Sequence, residues 1–130
     1  MRITKHTPIL IVDAIEPLLQ FWTETMGYKN VAEVPHDNRI GFVMLDHDGQ
    51  TLMLQTEASI KADLKNDTYR GLNTGSVCVY VDVDSIDEAV AIIEKSGATI
   101  LAGPRETAYG AKEIFAIAPG GFVFAFAHHQ

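Results

Sequence analysis

Proton transfer, nucleophilic attack and metal binding near neutral pH draw on a short list of side chains, led by histidine, cysteine and the carboxylates. This sequence holds five histidines, His6, His36, His47, His128 and His129, and one cysteine, Cys78. His6 stands just before an apolar run and reads as a solvated strand-end residue. His36 and His47 lie in turn sequences beside aspartates, and turn chemistry accounts for both. His128 and His129 stand at the end of the sequence and read as a frayed tail. Cys78 lies inside SVCVYV with no histidine or lysine near it in sequence, so inert packing is expected rather than attack on a substrate. No Ser-His-Asp order, phosphate-cradling glycine loop or Cys-x-x-Cys pair is present. What remains is the chemistry of recognition: Arg105 and Tyr109 in one loop, Tyr69 and Arg70 in another.

The elements that must position these groups show in the hydrophobic period. Pro8 to Val12 is short, apolar and β-branched, and reads as a strand. After Asp13 the period changes: Ile15, Leu18, Leu19, Trp22 and Met26 recur at helical spacing, Pro17 suits a first turn and Gly27 a stop. Phe21 and Trp22 are expected in the core, since the stripe must cover a sheet. Strands follow near Asn30–Val34, Arg39–Leu45 and Thr51–Thr56, with the turns PHDN and DHDGQ between them. Residues 58–73 turn polar and read as a connector. The second half repeats the order: a strand at Ser76–Val81, a helical stripe from Ile86 to Ile93 closed by Gly97, and strands near Thr99–Ala102, Glu113–Ile117 and Phe122–Ala127. A strand-helix-three-strand unit therefore recurs at a period of about 70 residues.

The chain has 130 residues, with 47% apolar and 21% charged, which is ordinary globular usage. Seventeen acids against ten lysines and arginines give a net charge of -7, the wrong sign for gripping phosphates, so no nucleic-acid partner is expected. A cationic ligand would instead be drawn in. No run approaches the ~18 apolar residues of a membrane span. The opening MRITKHTPILIVDAIEP lacks the apolar segment and cleavage site of a signal peptide, and a single cysteine allows no intramolecular disulfide. A soluble cytoplasmic location is expected.

The pieces TPILIV, LLQFWTETMGYK, VYVDVDSIDEAVAIIEKSGA and GPRETAYGAKEIFAIAPGGFVFAF, in that order and spacing, resemble the vicinal-oxygen-chelate superfamily of glyoxalases, bleomycin-resistance proteins and extradiol dioxygenases. The resemblance covers nearly the whole chain. It implies an α+β fold in which two βαβββ modules form cupped mixed sheets, module 1 at about 5–57, a connector at 58–73 and module 2 at about 74–128, all in one domain. In metal-dependent members His, Glu or Gln ligands come from the first and last strand of each module. Those positions map onto Thr7, Met53, Ser76 and Ala125, none of which suits a first-row divalent ion. Shifting register does not restore a site: His6 and Gln55 would still lack ligands from the second module, where Cys78 and Tyr80 have no His or Glu beside them. A one-residue slip also turns a strand side chain to the opposite face.

The resemblance therefore implies a metal-free and cofactor-free binding protein that holds a small organic ligand in an apolar cup, with an antibiotic-sequestering role as one form. Alternation places Thr7 and Ile9 on the first strand of that cup, Phe42 and Met44 on the third, and Met53 and Gln55 on the fourth. Ser76, Cys78, Tyr80 and Ala125 face it from the second half, and Arg105 and Tyr109 reach it from their loop. The alternative is a divalent-metal-dependent lyase, isomerase or dioxygenase with non-standard ligands. A third reading is a structural or regulatory module whose cup is filled by its own side chains. A homodimer is also implied, because in small relatives the second subunit often completes each cup.

Overall fold

Alternating apolar and polar residues dominate eight segments, and each becomes a strand. The computed structural model describes residues 1–129. The strands are β1 (Ile3–Val12), β2 (Lys29–His36), β3 (Arg39–His47), β4 (Gln50–Thr56), β5 (Val77–Val83), β6 (Thr99–Glu106), β7 (Ala111–Ile117) and β8 (Val123–His129). Two α-helices, α1 (Glu57–Leu64) and α2 (Ile86–Ser96), complete the α+β fold. The strands are hydrogen-bonded in the order β2-β3-β4-β1-β5-β8-β7-β6, a mixed sheet. Two compact units divide the chain: Pro8–Val77, and Met1–Thr7 together with the chain from Cys78 onward. Among the described residues no helix is long and apolar enough to cross a membrane.

In the unit Pro8–Val77, β1 runs parallel to β4, and β4, β3 and β2 follow antiparallel. The β2-β3 turn places Asp37 and Asn38 at φ 49° and 65°, and the β3-β4 turn places Asp48 and Gly49 at 53° and 82°. Two successive left-handed residues are what a tight hairpin matched to sheet twist requires, hence the Asp, Asn and Gly. The core holds Ile15, Val43, Leu45, Leu52 and Leu54, with Leu19 and Trp22 packed on it.

The single helix expected from Ile15 to Met26 is instead a 3-10 turn at Glu16–Leu18 and a π turn at Phe21–Thr25. Thr23 Oγ1 donates to the Leu19 carbonyl at 2.8 Å, engaging the acceptor that an α-helical amide would use. The next closure widens: the Met26 amide donates to Phe21, five residues back, at 2.9 Å. Ile15, Leu19 and Trp22 still reach the core. Phe21 and Met26 do not, and both are exposed. The polar connector contains α1, whose N-cap Thr56 accepts from the Ser59 amide at 3.1 Å. Ile60 and Leu64 are buried on α1, which packs against β3 and β4.

In the other unit, β5 is parallel to β8, and β8, β7 and β6 follow antiparallel. The first residues of the chain run beside β5: the Asp84 amide donates to the Arg2 carbonyl at 3.0 Å, and the Thr4 hydroxyl to the Asp82 carbonyl at 3.2 Å. Ser85 caps α2, its hydroxyl accepting from the Glu88 amide, and Gly97 at φ 76° ends it. Ile86, Ala89 and Ile93 of α2 pack on Val81, Val83, Ile114 and Ala116. Strand alternation sends the intervening residues to the opposite face. That face carries Cys78, Tyr80, Asp82, Glu113, Phe115, Ala125, Ala127 and His129. His128 and His129 are not a frayed tail: they belong to β8, paired with Lys112 and Ala111.

Candidate functional site

A fully buried carboxylate organises the helix-free face of the Cys78-onward unit. The Glu113 side chain is 1% exposed and belongs to β7. Its Oε1 accepts from Arg105 Nη2 at 2.7 Å and Nε at 3.2 Å. Its Oε2 accepts from the hydroxyls of Tyr80 and Tyr109, each at 2.9 Å. Burying a carboxylate without partners is prohibitive; here every lone-pair direction is used and a guanidinium balances the charge. Arg105 is directly opposite Glu113 on β6, and its guanidinium lies 5.8 Å from the centre of the Phe115 ring.

The register explains how Tyr80 reaches across. Tyr80 on β5 is paired with Ala125 on β8, which is paired with Phe115 on β7. One row further on, Asp82 is paired with Ala127, which is paired with Glu113. Alanines at 125 and 127 leave this face of β8 with nothing beyond Cβ at those positions, and the Tyr80 ring crosses that gap. Toward solvent, Tyr80 Oη lies 3.4 Å from His129 Nε2, which lies 3.3 Å from Asp82 Oδ1. The Tyr109 ring stacks on His129 at 6.3 Å and 27°. Burial, and then the adjacent Glu113 charge, push the Tyr80 phenol far above its ordinary range. Burial alone pushes the Cys78 thiol up to about 11, which keeps it protonated and inert near neutrality.

Residues 4–126 match the family model of the Glyoxalase/Bleomycin resistance protein/Dioxygenase superfamily. The chain belongs to that superfamily. No curated protein sequence matches it. Among solved structures, a glyoxalase/bleomycin resistance protein/dioxygenase superfamily member from Vibrio splendidus 12B01 is similar at 22% identity, with a TM-score of 0.71 and coverage of 98% of this chain and 99% of that one. Methylmalonyl-CoA epimerase from Mycobacterium tuberculosis is similar at 14% identity and TM-score 0.67, over 95% of this chain and 86% of its own. The 2,3-dioxygenase LapB from Pseudomonas sp. KL28 is similar at 15% and 0.65, over 94% of this chain and 41% of its own. At these identities the likeness is one of fold.

The superfamily's metal-dependent chemistry needs a donor set, and the expected positions Thr7, Met53, Ser76 and Ala125 do not make one. Thr7 and Ala125 belong to one unit, Met53 and Ser76 to the other. Ala125 has no donor and Met53 offers a thioether. The Ser76 hydroxyl donates to the Arg70 carbonyl at 3.2 Å. Among the described residues no three His, Cys, Asp or Glu side chains gather to hold an ion. Glu113, the one buried carboxylate of this face among the described residues, accepts from nitrogen and hydroxyl donors at both oxygens.

The other expected contact residues are distributed by unit. Ile9 is paired with Met53 and Met53 with Met44, and Gln55 is paired with Phe42. These five share one sheet face of the unit Pro8–Val77; Ile9 and Met53 are buried, while Phe42, Met44 and Gln55 are half-buried. Gln55 donates to the Ser59 hydroxyl at 3.1 Å. Ser76 stands in the turn just before β5 rather than in the strand. In the other unit Tyr80, Arg105 and Tyr109 converge on Glu113, while Cys78 and Ala125 share their face. Glu113 and His129 lie outside the contact residues expected from the sequence. A signal for Glu113 exists in KEIFAI, where alternation puts a carboxylate on the same face as Phe115. His129 had none, because a terminal histidine pair reads as tail.

Proposed function

We propose that this glyoxalase-superfamily chain is a metal-independent small-molecule-binding protein, its ligand held on the sheet face that carries Glu113. The observation that carries this reading is the donor set. The positions used for metal in metal-dependent members hold Thr7, Met53, Ser76 and Ala125, and the one buried carboxylate of this face is fully engaged with Arg105, Tyr80 and Tyr109. With the Glu113 carboxylate engaged by its own chain, this face is suited to recognise rather than to polarise. Aromatic walls with a few converging polar groups suit a modest organic ligand. Sequestration of an antibiotic is one role such binding would serve.

A homodimer belongs to the same reading. Strand β2 has only β3 as a neighbour, and it presents Val31 and Val34 to solvent. Unpaired edges with apolar side chains need cover. A strict monomer in size-exclusion chromatography at micromolar concentration removes this part. The central test is a thermal-shift screen of small organic compounds with elemental analysis of the purified protein. A saturable rise in melting temperature without stoichiometric metal is expected. Stoichiometric Ni, Zn, Fe or Mn with a stability loss on chelation reverses the reading in favour of a metal-dependent lyase, isomerase or dioxygenase.

A further inference from the structure

We propose that residues 57–74 are a strap closed over the Ile9–Met53 face of the unit Pro8–Val77, with the Glu57 carboxylate as its clasp. A molecule reaches that face only when the strap lifts. The face lies in the unit without Glu113, so the strap and the binding reading above stand or fall separately.

The sheet of this unit has two faces, and the strap is on one of them. The opposite face carries the core of Ile15, Val43, Leu45, Leu52 and Leu54, and no residue of 57–74 belongs to that core. Ile60, Leu64 and Leu72 are nonetheless buried. α1 packs against β3 and β4, and Gln55, which shares a face with Met53, donates to Ser59 of α1 at 3.1 Å. Gly41 of β3 gives the helix room, since a Cβ there would come 3.1 Å from Ser59 Oγ. The apolar side chains of the strap therefore cover the face on which Ile9 and Met53 are buried.

Glu57 joins the two ends of the segment. Its Oε1 accepts from the Thr74 amide at the far end, and its Oε2 from Lys61 Nζ at 3.1 Å, one helical turn on. Lys61 Nζ also donates to Asn73 Oδ1 at 2.7 Å. The Thr74 amide first, and Lys61 after it, hold the Glu57 carboxyl below its ordinary range. Charge-assisted bonds are the stronger kind, yet the Glu57 side chain is 35% exposed, so water replaces its partners when they part. Between its ends the segment holds α1, a 3-10 turn and no strand. It lifts without breaking a strand ladder, and a helix as short as Glu57–Leu64 does not persist without packing. Segments of this kind open at a lower free energy than the whole fold.

Two readouts on the full chain test the strap. Hydrogen exchange followed by mass spectrometry reports the opening of 57–74. Oxidation by dilute hydrogen peroxide reports access to buried Met53, with exposed Met26 as the reference. Glu57→Gln replaces charge-assisted bonds by weaker ones and is expected to raise both the exchange of 57–74 and the oxidation of Met53 about tenfold. Met26 and the amides of β7 should keep their wild-type rates. Asn73→Ala removes the other partner of Lys61 and should act in the same direction by a smaller factor. Unchanged exchange of 57–74 in Glu57→Gln, or in Asn73→Ala if the first variant does not fold, overturns the clasp. Faster exchange without faster oxidation of Met53 overturns the cover. Equal acceleration in β7 means that the whole fold has loosened, and overturns both.

Discussion

Glu113 is held by three side chains that act on one carboxylate, so removing the carboxylate costs several hydrogen bonds at once. Glu113→Ala removes the acceptor that Arg105 and Tyr80 share and empties a buried position, and is expected to lower stability by about 3 kcal/mol in urea unfolding. A loss within error of zero would mean that the carboxylate is dispensable to this face. The same face predicts an alkaline limit. A thiol raised from 9.0 to about 11 by folding favours the native state fully below pH 9, and that contribution is lost as pH climbs to about 11. Tyr80, raised above its ordinary 10, adds to the loss in the same direction. The urea midpoint should therefore fall between about pH 8 and about pH 10.5, and Cys78→Ala should flatten part of the fall. Strand alternation places Tyr80 on this face; Arg105, expected in a loop, lies in β6, and Tyr109 lies in the turn between β6 and β7. Glu113 is not legible in the sequence, because a lone carboxylate at a strand start looks like surface until its arginine and tyrosines surround it.

Arg105 meets Glu113 because β6 is irregular. The β6-β7 register shifts between Ala102 and Arg105, and such a bulge re-aims the side chains beyond it. Gly103 sits at the shift with φ 92°, and a Cβ there would come within 2.6 Å of the Glu113 carbonyl oxygen. Gly103→Ala combines a strained left-handed backbone with a collision against backbone, so β6 must move. It should destabilise the protein by about 2 kcal/mol and shift the Arg105 side-chain NMR resonances; unchanged resonances would show that the bulge does not aim Arg105. At α1 the interaction is simpler: Thr56→Ala removes the cap on the Ser59 amide and should cost about 1 kcal/mol in the same assay. The first helical segment shows where periodicity misleads. Ile15, Leu19 and Trp22 lie at spacings that fit an α-helix, yet the Thr23 hydroxyl competes for a backbone acceptor and the turn opens. Spacing reports which residues face the core; it does not report which carbonyl a threonine will take.

At the scale of the molecule, the duplicated order of strand, helix and three strands was readable because alternation and tight-turn residues recur in both halves, and those signals are local. Which strands neighbour one another is not local, and neither is the start of β1, where Ile3 to Thr7 are largely polar and show no apolar run. Those residues pair beside β5, while Pro8 to Val12 pair with β4. One ten-residue segment is thus the border strand of two different assemblies, so the gene cannot be cut at the apparent repeat without robbing the later piece. A polypeptide beginning at Cys78 would show the bare flank of β5 and is expected to aggregate; grafting Met1–Thr7 onto its front through a flexible tether should restore a soluble, cooperatively melting product. The two halves of this repeat are not interchangeable building blocks, because the beginning of the first is already on loan to the second.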